Sequence, residues 1–171
     1  MIDKDSLFAQ GGYGQPYQNE KDYIEEMFLS GIFSSLDSVV FKGGTSISKF
    51  YGSVRFSDDL DFSLMQDRTQ QNIDEVLEKV IHNLSNECPI RIMRKTNSAE
   101  MLAHELSIRG PLFETLNKHQ HLKIEVDKQA SVIETFLRCS LSRSGTAARN
   151  RPARIASLCL SFILPLLSHP Q

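Results

Sequence analysis

Cysteine is scarce in this 171-residue chain: Cys88, Cys139 and Cys159 are odd in number and widely spaced. That usage excludes a disulfide framework and gives no zinc-ligand pattern, so a reducing cytosol is the expected setting. A basic-then-apolar leader is also lacking, since the first ten residues read MIDKDSLFAQ. No apolar run reaches the roughly 20 residues that a membrane span needs. The longest, residues 158–167, is interrupted by Ser161 and Pro165. Nor is there a basic excess: a net charge of −2 gives no general electrostatic footprint for nucleic acid.

One absence is regional. From residue 138 onward there is no Asp, Glu or Lys, while five arginines and six serines occur. Residues 1–137 hold all 21 acids against 14 bases, a net of −7, and the remainder carries +5. The composition switches with no linker between. The chain is therefore expected to divide into an N-terminal segment (1–19), a core (20–137) and an atypical basic, Ser-rich tail (138–171). The tail reads as something other than the natural continuation of the core, as after a frameshift, and is expected to pack poorly on it. Hydrophobic residues make up 40% of the chain, enough for one packed core.

What is present reads as a mixed α/β chain. Residues 20–36 carry Tyr23, Met27, Phe28, Phe33 and Leu36 near helical spacing, with Ile24 and Ile32 widening the stripe. Glu20, Asp22, Glu25 and Glu26 near the start of that helix suit its dipole. Residues 38–42, SVVFK, read as a buried strand. Gly43 and Gly44 break it, Thr45 is an expected N-cap for a short helix to Tyr51, and Gly52 ends that helix. Residues 60–64 alternate as a strand, residues 69–86 form an amphipathic helix, and residues 90–94 and 102–109 read as strands. Gly110 and Pro111 mark a turn, and residues 121–127, HLKIEVD, read as the last strand. The expected fold class is α/β (α+β): a small mixed sheet with helices packed on it.

Chemistry concentrates in residues 42–64, KGGTSISKFYGSVRFSDDLDFSL. Asp59 and Asp61 lie two apart on a predicted strand, so both carboxylates share one face while Leu60 and Phe62 turn to the core. Paired carboxylates repel unless a cation lies between them, and Mg2+ is the natural oxygen-ligated candidate. Gly43-Gly44-Thr45 joins a strand to a helix N-terminus, where free N–H groups and the dipole favour an anion, and glycine allows a phosphate close approach. Together the parts suit in-line phosphoryl or nucleotidyl transfer. Lys49, one turn beyond Thr45, reads either as a phosphate contact or as a surface charge. Arg55 reads as a partner of phosphate or of Asp58, and Ser57 as a cap of the turn into the aspartate strand. His82, His104, His119 and His121 show no metal-ligand spacing and read as surface or partly buried residues.

The stretch FKGGTSISKFYGSVRFSDDLDFSL resembles the first motif of the AbiEii/AbiGii toxin family of nucleotidyltransferases, within the DNA polymerase β-like superfamily. The match runs through Lys42, Gly43, Gly44, Thr45, Arg55, Phe56, Ser57, Asp59 and Asp61, and EKDYIEEMFLSGIF resembles the family's N-terminal helix. The resemblance covers roughly residues 20–128. It implies a bacterial cytoplasmic toxin paired with an antitoxin repressor, a two-metal Mg2+ site, NTP as substrate, and transfer to an acceptor such as tRNA. It also implies a third carboxylate on a later strand between apolar residues. Ile124-Glu125-Val126 fits, making Glu125 a metal ligand or base, with Asp127 as the alternative. Family members continue into a helical region whose lysine contacts the triphosphate. After Lys128 this chain has no lysine, and after Glu134 no acid, so little transfer is expected from it as it stands. Two other readings stay open: an inactive remnant that binds nucleotide or antitoxin, and a glycosyltransferase using Asp-x-Asp to hold a metal and a nucleotide sugar.

Overall fold

The computed structural model describes residues 7, 15–51, 58–65 and 72–129. Gly52 as a helix stop, Ser57 as a cap, residues 69–71 as helix start and the tail 138–171 lie outside the described residues.

Helix α1 runs Pro16–Ser35, with proline in its first turn, where a fixed φ and a missing N–H are best tolerated. It therefore starts four residues before the periodicity predicts, and its first turn holds no acid. The dipole reading of Glu20, Asp22 and Glu25 is corrected accordingly. Glu20, Lys21 and Glu25 are instead buried among Ile24, Phe28, Leu29 and Ile32. The other elements follow the expected order, β1 (Val39–Lys42), α2 (Gly43–Tyr51), β2 (Asp59–Leu64), α3 (Ile73–Ser85), β3 (Ile90–Asn97), β4 (Met101–Ile108) and β5 (Gln120–Asp127), with an unanticipated one-turn α4 (Phe113–Leu116) between the last two strands. Helix α2 begins at Gly43 with no intervening turn, so Thr45 lies inside it rather than capping it.

The five strands form one sheet in the order β1-β2-β5-β4-β3. Only β2 and β5 pair in parallel among these neighbours; the other pairs are antiparallel. Strand alternation divides the faces. Leu60, Phe62, Leu122, Ile124, Val126, Leu102 and Leu106 are buried toward the helices. Phe62 anchors this layer, with its ring 5.2 Å from Phe41 and 6.1 Å from Phe33. Strand β3 runs three residues beyond the predicted 90–94. A bulge between Ile92 and Arg94 breaks its period, so Ile90 and Ile92 share a face with Lys95 and Asn97 across the irregularity.

Candidate functional site

The face of the sheet away from the helices carries the predicted carboxylates. Asp59 and Asp61 sit two apart on β2, and β5 lies beside it with Asp61 opposite Glu125 and Asp59 opposite Lys123. Register partners on adjoining strands present their side chains to one face, so both aspartates and Glu125 share it. Asp127 is one step further along, opposite Ser63, where Lys42 donates to it at 3.0 Å. The strand neighbour of the aspartate pair is thus Glu125.

The glycine turn meets these carboxylates directly. Gly43 holds φ +77°, and a β-carbon built on it would lie 2.2 Å from Asp61 Oδ2. Only glycine gives that backbone shape and that clearance. The Thr45 hydroxyl donates to the Asp59 carbonyl at 2.5 Å, fixing α2 to β2. Gly43 and Gly44 stay exposed at the N-terminal end of α2.

Electrostatics mark the same place. Burial, then the charges of Asp59 and Glu125, push the Asp61 carboxyl up, while Lys42 and Lys123 pull it down. Glu125 forms an ion pair with Lys123, two residues before it on the same face. The donor set is all carboxylate oxygen and suits a hard cation such as Mg2+.

Lys49 is placed differently. Its ammonium is buried between α2 and α1, bonded to Asp22 at 2.9 Å and Glu25 at 3.1 Å. Arg55 lies outside the described residues. Helix α1 supplies residues that sequence reading missed. Lys21 is buried, donates to the His121 carbonyl of β5, and lies in the field of Asp58 and Asp59. Burial lowers its pKa, opposed by Glu25 and by those two aspartates. Glu20 accepts from the Leu112 N–H at 2.5 Å and from the Gln120 amide at 2.6 Å. A signal was available: Glu20 and Lys21 fall one turn before the buried Ile24, on the apolar stripe.

His104 is a correction to the histidine reading. It is fully buried on the helical side, and its ligand atoms with those of Asp74 and Glu78 all lie within 4.8 Å of one another. His82 and His121 are exposed as expected. Asp74 and Glu78 stand four apart on α3, but His104 comes from β4, so the sequence shows the acid pair and not its meeting with the histidine. Among the described residues Asp59, Asp61 and Glu125 are not drawn to that closeness, Glu125 being turned to Lys123. No described helix is long and apolar enough to cross a membrane.

The chain is similar to two solved proteins of H. pylori. One, described as a nucleotidyltransferase, aligns with a TM-score of 0.44 and 18% identity over 64% of this chain and 44% of that one. The other, JHP933, aligns with a TM-score of 0.47 and 16% identity over 86% of this chain and 66% of its own. This chain thus spans less than two thirds of either. No curated protein matches it. The profile of the nucleotidyl transferase AbiEii toxins of type IV toxin–antitoxin systems matches residues 28–148, well over half the sequence and including the glycine turn and all three carboxylates, and the chain belongs to that family.

Proposed function

We propose that this protein is an Mg2+-dependent nucleotidyltransferase that joins a nucleotidyl group from an NTP to an acceptor hydroxyl, with tRNA as the acceptor and an antitoxin repressor as its cognate partner. The carrying observation is the contact of Gly43 with Asp61, whose strand partner is Glu125. It brings a helix start suited to an anion and three carboxylates together on one face of the sheet. Asp59, Asp61 and Glu125 would hold Mg2+, which when bound supplies charge neutralisation at the phosphates.

The chain's own groups divide the remaining work. Backbone N–H groups of Gly43 and Gly44 cradle a phosphate at the start of α2. Thr45 holds that turn at a fixed place beside β2, and Lys49 supports α2 from behind through Asp22 and Glu25. Arg55 is a further phosphate contact. A carboxylate oxygen of Glu125 accepts the proton of the attacking hydroxyl as its oxygen bonds to the α-phosphorus and pyrophosphate leaves. Family membership favours this over glycosyl transfer.

The test is incorporation of labelled NTP into total tRNA with Mg2+, using the chain and its Asp59→Asn and Asp61→Asn variants. Incorporation is expected to depend on Mg2+. Each substitution is expected to cut it by about 100-fold or more. Full incorporation by both variants would remove the site assignment. NTP binding without any transfer would assign the inactive, nucleotide-binding alternative.

A further inference from the structure

We propose that Asp74, Glu78 and His104 form a second cation site, for a divalent first-row transition ion such as Zn2+ or Co2+, on the helical side of the sheet. Asp74 and Glu78 stand one turn apart on α3, so their carboxylates project from one face of that helix. His104 projects toward them from β4, and the three ligand atoms lie within 4.8 Å of one another. The site is separate from the carboxylate face: His104 pairs in register with Ile124, whose side chain is buried toward the helices, whereas Glu125 faces the other way.

The histidine carries the inference. Its side chain has no exposed surface, and neither Nδ1 nor Nε2 has a hydrogen-bond partner. Asp74 Oδ1 is buried and unbonded as well. Histidine Nε2 and that oxygen stand 3.5 Å apart, too far for a good hydrogen bond. Buried polar atoms are seldom left so, and an orphaned imidazole nitrogen aimed at two carboxylates is a ligand set awaiting an ion. Mixed imidazole and carboxylate donors suit Zn2+, Co2+ or Mn2+ better than Mg2+, which takes oxygen.

Lys95 explains how the acids are held without an ion. Its Nζ lies 2.8 Å from Asp74 and 2.7 Å from Glu78, so an ammonium supplies the positive charge there. The side chain comes from the edge strand β3 and is 35% exposed, leaving it a route to solvent when an ion enters. Asn97 donates to Asp74 Oδ2 at 3.0 Å and orients the carboxylate from outside the ligand set. A bound ion would tie α3 to the sheet and stabilise the fold in proportion to its occupancy.

The full chain is titrated with Co2+ in excess Mg2+, which fills the carboxylate face, and read by visible absorption and calorimetry. One equivalent is expected to bind with a spectrum of nitrogen and oxygen ligation. His104→Asn is expected to weaken binding more than about tenfold, and Lys95→Met, which removes the competing ammonium, to tighten it by about tenfold. Asp61→Asn is expected to leave the spectrum unchanged. Wild-type affinity in His104→Asn would overturn the proposal, as would loss of the band in Asp61→Asn. If His104→Asn does not fold, Lys95→Met decides alone: unchanged or weaker affinity overturns it.

Discussion

Gly43 is where backbone shape and chemistry coincide. At φ +77° an L-side chain is strained, and its β-carbon would lie 2.2 Å from Asp61 Oδ2. Gly43→Ala is therefore expected to cost about 1–2 kcal/mol in stability. It should also displace the Asp61 carboxylate and weaken NTP binding. Denaturant unfolding and nucleotide titration of the same sample check both, and wild-type NTP affinity would show that the contact has no role in binding.

Helix α1 acts as a backing element, reaching α2 through Asp22 and Glu25, β5 through Lys21, and the segment around Leu112 through Glu20. Gly110 belongs to this junction, since a β-carbon there would meet Glu20 Oε1 at 2.4 Å. Burial pushes the Glu25 carboxyl up to about 7, although Lys49 and Lys21 pull it down. A carboxyl whose folded pKa exceeds its unfolded value binds its proton more tightly when folded. Its contribution is full below the unfolded value and is lost as pH rises through the folded one. Stability should thus fall between about pH 5 and 8, by about 2–3 kcal/mol from this group. Glu25→Gln, which stays neutral, is expected to flatten that fall. Unfolding free energies at pH 5 and pH 8 measure it, and an unchanged slope in the variant would place the dependence elsewhere.

At the scale of the molecule, one apolar layer fixes the position of the carboxylate face. Phe62 is buried between Phe41 and Phe33 on the strand that carries Asp61. Phe62→Ala is expected to cost about 3–5 kcal/mol, a large share of a typical domain's stability. Urea unfolding reads the loss directly. A change under about 1 kcal/mol would mean that the aromatic layer is not the anchor of β2.

Local signals made much of this legible in advance. Alternation in DLDFSL and HLKIEVD showed which residues face which way, because a strand's period of two is a property of the backbone alone. The glycine pair after SVVFK marked a strand-to-helix junction for the same reason. Strand β3 outruns its expected end because its bulge shifts the period, and the acids of α1 miss the helix dipole because the helix starts at Pro16, a turn earlier than the periodicity predicts. Pairing was beyond reach of local pattern. That β5 lies parallel to β2, setting Glu125 rather than Asp127 beside Asp61, depends on register between segments far apart in the chain. So does the burial of Lys49 against α1 and of His104 against α3. The sequence by itself determined which elements form and which face of each is apolar. Only the tertiary structure decided which charges meet, because an ion pair or ligand set spanning several elements exists only once the sheet has fixed their order and register.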